Sequence, residues 1–225
     1  MSKRGELFVF EGPDGVGKST LSAQFAARLQ SYGIETEHLS FPGRDVGTLG
    51  KAVYDIHHDP SSHGVEQLTS ASLQALHIAA HLDAIERRII PALSAGKTVV
   101  LDRFWWSTWV YGIVGGISPK LLKSLLRVER EQWGKFLPTT VFLITRPHSW
   151  REDEPQENWQ RLATVYRELA SEEAGKYPVE PVSNEEDVES ALDQILGLAR
   201  HHSPSKRLQL FVHLEDEPQS KKKRS

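Results

Sequence analysis

The 225-residue sequence contains no cysteine, which excludes disulfide bonds and thiolate metal sites. It has no apolar stretch approaching the ~20 residues that a membrane-spanning helix needs. No signal-peptide segment precedes the first predicted strand. Neither charge dominates, because 27 basic and 30 acidic side chains leave a net charge of −3, so nucleic acid is not an expected partner. We expect a cytoplasmic globular protein that acts on small molecules and does not bind membranes.

The most informative motif lies near the amino terminus, where the sequence has G-x-x-x-x-G-K-[ST] directly after the apolar run Leu7–Phe10. A triphosphate needs several backbone N–H groups aimed at one point, and glycine lets the chain wrap that tightly. Lys18 is spaced to reach the β- and γ-phosphates, and Ser19 to offer its hydroxyl to Mg²⁺. The motif predicts a phosphate-binding loop (P-loop) that comprises Gly12, Pro13, Asp14, Gly15, Val16, Gly17, Lys18, Ser19 and Thr20.

Strand-like runs alternate with longer helical patterns, and this alternation predicts an α/β fold with a parallel sheet. Strands are expected at Leu7–Phe10, Glu35–Ser40, Thr98–Asp102, Thr140–Ile144 and Val179–Val182. Helices are expected at Lys18–Tyr32, Val65–Ser94, Pro119–Trp133, Gln156–Glu173 and Glu185–His201. One domain therefore covers residues 1–200. Residues 201–225 are predicted to form an extension with an edge strand at Leu208–Leu214 and a disordered basic tail. The tail is either a solvated segment without a specific role, or a nuclear signal or anion-binding segment.

Two further clusters follow strands. Asp102 and Arg103 stand at the carboxyl end of an apolar strand, where an acid can hold Mg²⁺ and an arginine can bind phosphate. In the turn after the second strand, Arg44 is a candidate for an acceptor phosphate and Phe41 for contact with a base. The alternative for Asp102 and Arg103 is an ordinary ion pair on the surface. The alternative for Arg44 is a side chain that faces solvent and has no role in binding.

Together with Ser107, Thr108, Tyr111 and the segment Pro91–Lys97, these motifs resemble the thymidylate kinase family over about residues 5–200. The resemblance implies a three-layer P-loop nucleoside monophosphate kinase fold with a five-stranded parallel sheet. It implies transfer of the γ-phosphate of Mg²⁺-ATP to a deoxynucleoside monophosphate, with dTMP the first expectation, by a homodimeric enzyme. The alternatives are a kinase of another pyrimidine or modified deoxynucleotide, and a nucleotide-binding regulatory module with little turnover.

The resemblance also assigns residues to roles. It implies catalytic roles for Lys18, Asp14, Arg103 and Arg151, with Arg151 supplying a cation from the lid because Gly15 follows Asp14 where one branch of the family has arginine. Asp14 is expected at the acceptor sugar and Tyr111 against the ribose 2′ position. The metal residues are Ser19 and Asp102, and the substrate-binding residues are Asp14, Phe41, Arg44, His77, His81, Arg103, Ser107 and Tyr111.

Three features depart from the family pattern. His77 and His81 occupy the expected places of a base-stacking phenylalanine and a base-reading arginine, and they could line the pocket, pack in the core or bind a metal. The lid before Gln156 is short and acidic, which suggests slower catalysis, another acceptor or a lid completed by a second subunit. The remaining histidines of this region are predicted in a polar loop: His57, His58 and His63. The tryptophans of the helix after Arg103 are predicted in the core or on a dimer face: Trp105, Trp106 and Trp109. The alternative for Trp105 or Trp106 is a place beside the base.

Overall fold

The computed structural model describes residues 4–150, 155–205 and 208–209. Its strands form one sheet in the order β2-β3-β1-β4-β5, and every paired neighbour is parallel. The predicted five-stranded parallel sheet is therefore confirmed. Central strands are buried on both faces, as their unbroken apolar runs require. The strands are β1 Leu7–Glu11, β2 Thr36–Ser40, β3 Thr98–Asp102, β4 Thr140–Thr145 and β5 Val179–Ser183.

Helices connect the strands. They are α1 Lys18–Ser31, α2 Leu49–His58, α3 Ser70–Ala84, α4 Ile90–Ser94, α5 Trp105–Val114, α6 Pro119–Trp133, α7 Gln156–Glu173 and α8 Val188–His202. The predicted helix Val65–Ser94 was too long: Thr69 caps the first turn of α3, and a π-helical turn at Ile85–Ile89 separates α3 from α4. Leu208 and Gln209 are helical, whereas residues 210–225 lie outside the described residues, so the edge strand and the tail stay predictions.

Two apolar layers enclose the sheet. On one face, α1 and α8 pack over an aromatic cluster in which Phe10 and Phe142 lie with ring centroids 5.2 Å apart. On the other face, α3, α5, α6 and α7 cover the sheet, and Trp105 and Trp106 are buried there while Trp109 is partly buried. The three-layer prediction is confirmed, and Trp105 and Trp106 belong to the core of the monomer.

The sheet order brings the predicted site residues to one edge. Asp102 of β3 is in register with Phe10 of β1 on one side and with Ser40 of β2 on the other. Because carboxyl ends of parallel strands meet at the same edge, the P-loop after β1, the turn after β2 and Arg103 after β3 become neighbours. The Phe41 N–H donates to the Asp102 carbonyl at 2.9 Å, which fixes the turn against β3.

Candidate active site

The P-loop wraps tightly into the start of α1. Gly15 and Gly17 have φ angles of 77° and 92°, in the left-handed region that glycine adopts without strain, and a Cβ on Gly15 would collide with the Ser149 hydroxyl. The N-cap residue of α1 is Gly17, which has no side chain to bond the N–H groups of the first turn, so these groups can bind an anion. Lys18 is buried, and its ammonium donates to the Pro13 carbonyl at 2.6 Å. Burial, helped by the charge of Arg103, lowers the pKa of Lys18 to about 8.

Ser19 and Asp102 form the candidate metal position. The Ser19 hydroxyl donates to Asp102 Oδ2 at 2.5 Å, while Asp102 Oδ1 is buried and has no hydrogen-bond partner among the described residues. An unpaired buried carboxylate oxygen is costly, and a hard cation that prefers oxygen ligands would satisfy it. Within the described part of the chain, no group of three or more His, Cys, Asp or Glu side chains could hold a metal ion. The hydroxyl of Ser19 and the carboxylate of Asp102 are oxygen ligands of the kind that Mg²⁺ prefers, so they fit a Mg²⁺ ion that accompanies a nucleotide.

Arg103 lies between the P-loop and α5. It has a φ angle of 75°, uncommon for a residue with a side chain, and its N–H donates to the Phe10 carbonyl at 2.9 Å. Its guanidinium pairs with the Asp14 carboxylate and donates to the Ser107 hydroxyl at 3.1 Å. The Tyr111 ring lies 5.6 Å from the same guanidinium. The predicted substrate residues Asp14, Arg103, Ser107 and Tyr111 thus form one contiguous cluster.

Glu11 supports this cluster, and the sequence analysis assigned it no role. Its carboxylate is fully buried and accepts hydrogen bonds from the Phe104 N–H at 2.6 Å and the Ser107 N–H at 3.1 Å, which caps the start of α5. It also accepts from the Ser107 hydroxyl at 2.9 Å and the Tyr166 hydroxyl at 3.0 Å. Burial raises the pKa of Glu11. An acid at the end of an otherwise apolar strand is the sequence feature that could have indicated a role for Glu11.

Two cavities meet at these residues. A cavity of about 130 Å³ lies over the P-loop and is lined by Lys18, Ser19 and Asp102 among others. A second cavity, of about 300 Å³, opens between α2, α3 and α5 and is lined by His77, His81, Ser107 and Tyr111 among others. We call them the donor cavity and the acceptor cavity. Both are lined by Asp14, Phe41, Arg44 and Arg103, so the two spaces share a wall.

Histidines dominate the far end of the acceptor cavity. His77 Nε2 lies 3.3 Å from His57 Nδ1, and burial, with the neighbouring His81 and His57, lowers the pKa of His77 to about 3. Phe41 stacks on His81 with ring centroids 4.0 Å apart, so one face of Phe41 already has a partner. The predicted polar loop was wrong for His57 and His58, which end α2 and line the cavity. The Thr48 cap and the Lys51–Asp55 ion pair at i, i+4 spacing were the missed helix signals.

The segment after β4 lies on the P-loop. Trp150 donates its N–H to the Gly15 carbonyl at 3.2 Å, and its ring stacks on Arg146 at 4.0 Å. From α7, the Trp159 indole donates to the Asp14 carbonyl at 2.9 Å. Arg151 lies outside the described residues, so its catalytic role stays a prediction.

A sequence model of one family, described as thymidylate kinase, matches residues 10–192. This chain belongs to the thymidylate kinase family. Among curated relatives, the thymidylate kinase of Chlamydia muridarum is 35% identical over 63% of this chain and 66% of that protein. The thymidylate kinase of Pelodictyon phaeoclathratiforme is 37% identical over 54% of each chain. The matched part of the chain thus spans about half to two thirds of these relatives.

A solved structure confirms the thymidylate kinase fold. The crystal structure of thymidylate kinase from Ehrlichia chaffeensis superposes with a TM-score of 0.70 at 21% identity, over 87% of this chain and 98% of that one. At this identity the likeness concerns the fold alone. Within the described residues of this family member, no helix combines the length and apolar composition that crossing a bilayer requires.

Proposed function

We propose that this member of the thymidylate kinase family transfers the γ-phosphate of Mg²⁺-ATP to a deoxynucleoside monophosphate, with dTMP as the first acceptor. The shared wall of the donor and acceptor cavities carries the proposal, because phosphoryl transfer needs two nucleotides to meet phosphate to phosphate. Family membership and the names of the relatives support dTMP as the acceptor. The homodimer and the cytoplasmic location rest on the resemblance to the family.

The donor cavity suits a triphosphate. The uncapped start of α1 offers N–H groups to the phosphates, and Lys18 needs only to exchange the Pro13 carbonyl for a phosphate oxygen. Ser19 and Asp102 would hold Mg²⁺, which when bound neutralises charge on the β- and γ-phosphates. Lys18 then stabilises the negative charge that develops on the migrating group.

Arg44 and Arg103 suit an acceptor phosphate, since both residues line the wall that the two cavities share and each carries a guanidinium group. Asp14 now pairs with Arg103 and would exchange that contact for the acceptor sugar. Tyr111, from α5, narrows the acceptor cavity beside Arg103, where a 2′-hydroxyl would have to fit. The protein's task is therefore alignment and charge stabilisation, with no covalent intermediate on the enzyme.

The decisive experiment incubates the purified protein with Mg²⁺-ATP and a panel of ribo- and deoxynucleoside monophosphates, and it identifies each diphosphate by chromatography. We expect dTDP and ADP in equal amounts, with the ribonucleotide much slower than its deoxy counterpart. Absence of every diphosphate would reject the enzymatic proposal.

A nucleotide-binding module with little turnover is the second candidate. The contacts of Trp150 and Trp159 with the P-loop favour it, because both residues already bond to carbonyls of the loop and have little room to move closer. Calorimetry that records ATP binding alongside no transfer to any acceptor would support this candidate over the kinase.

A further inference from the structure

The P-loop receives a side-chain contact from the far edge of the sheet. Asn184 directly follows the edge strand β5, and its amide Nδ2 donates to the Val16 carbonyl at 2.8 Å, across 168 positions of sequence. We infer that Asn184 is a positioning residue for the phosphates of the nucleotide in the donor cavity, because it holds the peptide group between Val16 and Gly17 and thereby directs the Gly17 N–H. The inference rests on the proposed function for the identity of that nucleotide, and it concerns a residue outside the P-loop motif.

The main chain of Asn184 is held on both sides. Its N–H donates to the Thr145 carbonyl at 3.0 Å, which extends the pairing of β4 with β5 by one residue. Its carbonyl accepts from the guanidinium of Arg146, which also lies against the Trp150 ring. Asn184 is 1% exposed, and close-packed surroundings leave a buried side chain little freedom. The amide group is therefore presented to the P-loop in one position.

The two ends of the Asn184 amide have different surroundings. An amide oxygen in the place of Nδ2 would face the Val16 oxygen, and two acceptors repel, so the NH₂ group must face the loop. At the other end, Asn184 Oδ1 is buried and has no hydrogen-bond partner among the described residues. A buried amide with one end unpaired adds little to the stability of the fold. The main physical effect of this side chain is therefore on the loop that it contacts.

Gly17 permits the close approach of this amide. A Cβ on Gly17 would lie 2.4 Å from Asn184 Nδ2, and the φ angle of 92° disfavours a side chain for a second reason. Asn184 thus packs directly against the peptide group between Val16 and Gly17. The Val16 side chain is buried in the apolar layer of α1 and α8, so the same peptide group is held both by the core and by Asn184.

A held carbonyl fixes the direction of the N–H in the same peptide group. The two groups point in opposite directions in a trans peptide, so the Gly17 N–H points away from Asn184. Gly17 and Lys18 line the donor cavity, whereas Asn184 is not among the described residues that line it. A backbone N–H that is oriented before an anion arrives loses less freedom on binding it. Asn184 therefore acts on the phosphate site without contact with the ligand.

Calorimetry with inorganic tripolyphosphate isolates this effect from any contact with a nucleoside. The wild-type protein is compared with Asn184→Leu, which keeps a side chain of similar size and removes the amide N–H groups. Each protein is titrated with tripolyphosphate and with ATP, both in the presence of Mg²⁺, and with dTMP. In the variant we expect the Kd of tripolyphosphate and of ATP to rise by about tenfold, and that of dTMP by less than about twofold. In initial-rate kinetics, the KM of ATP should rise while the KM of the acceptor does not.

Matched variants separate this role from folding. Ser183→Ala truncates the preceding residue, whose hydroxyl donates to Glu185 at 3.0 Å, and it should leave all three affinities unchanged. Asn184→Leu should melt within about 3 °C of the wild type, because it removes an unpaired buried acceptor together with the N–H group that it deletes. Should this variant fail to fold, judged by circular dichroism, Asn184→Ala supplies the same test because it also removes the amide.

The outcomes distinguish this inference from the proposed function. If the wild type phosphorylates dTMP but the folded variant binds tripolyphosphate and ATP as tightly as the wild type does, the inference is overturned while the kinase stands. A loss confined to ATP would place Asn184 at the nucleoside, and an equal loss for dTMP would indicate general damage, so either result also overturns it. If the variant loses affinity for tripolyphosphate and ATP but the wild type phosphorylates no nucleoside monophosphate, the inference stands and the kinase fails. Failure of the wild type to bind tripolyphosphate overturns the inference.

Discussion

Replacing Glu11 should affect both the stability of the fold and the acceptor side of the site. Glu11 ends β1, yet its four hydrogen bonds go to α5 and α7, so the carboxylate joins the central strand to the helix that follows Arg103. Glu11→Ala removes all four acceptor contacts at once. Glu11→Gln keeps one oxygen that can accept from the two backbone N–H groups. Its NH₂ group can donate to the hydroxyl oxygens of Ser107 and Tyr166.

The magnitude follows from what each variant leaves unpaired. Loss of the cap at α5 costs about 0.5–2 kcal/mol. Each buried donor left without a partner costs about 1–3 kcal/mol, but the hydroxyls of Ser107 and Tyr166 lie 2.9 Å apart and can satisfy one another. We therefore expect Glu11→Ala to lower the free energy of unfolding by about 3–5 kcal/mol and Glu11→Gln by about 1 kcal/mol. For a domain of this size the alanine variant should melt about 10 °C below the wild type.

Thermal denaturation and initial-rate kinetics on the same preparations test this reasoning. Because Arg103 and Ser107 depend on the start of α5, the KM of the acceptor should rise several-fold more than the KM of ATP in Glu11→Ala. Glu11→Gln should retain most of the wild-type ratio. A melting temperature of Glu11→Ala within about 2 °C of the wild type, or an equal rise in both KM values, would refute the supporting role of Glu11.

Three further predictions concern the donor cavity. Lys18→Ala should lower kcat by roughly 10²–10³-fold, with a melting temperature near that of the wild type, since the packing lost with the buried side chain is offset by removal of an ammonium that burial destabilises. Because the pKa of Lys18 is about 8, its cationic form predominates below pH 8 and is lost above it, so the affinity for ATP, measured by calorimetry, should fall above pH 8 in the wild type and not in Lys18→Ala. Asp102→Asn should raise the half-saturating Mg²⁺ concentration by about tenfold without lowering the melting temperature, because a neutral amide costs less to bury without a partner than a charged carboxylate; unchanged Mg²⁺ dependence would exclude Asp102 as a ligand.

The predictions that agree with the structure depend on local chemistry. The run Leu7–Phe10 is apolar throughout because β1 is buried on both faces, and the glycines after it satisfy a backbone path that side chains would strain. Asp102 and Arg103 could be placed near the P-loop because parallel strands present their carboxyl ends at one edge. Such features depend on residues close in sequence and on general rules of sheet topology.

The features that sequence analysis missed depend on distant partners. Glu11 bonds to residues 93 to 155 positions away, and no local pattern indicates that its carboxylate caps α5. His81 was a candidate base contact, but its pairing with Glu129 spans 48 positions and changes what the imidazole offers to a ligand. His57 was predicted in a loop because its partner His77 lies 20 positions on, in another helix.

Two tryptophans, Trp150 and Trp159, hold carbonyl groups of the P-loop. In a trans peptide the carbonyl and the following N–H point in opposite directions. When Trp159 holds the Asp14 carbonyl and Trp150 holds the Gly15 carbonyl, the N–H groups of Gly15 and Val16 are turned away from the lid. These two tryptophan contacts therefore orient P-loop donors before a nucleotide arrives, which reduces the ordering that binding requires.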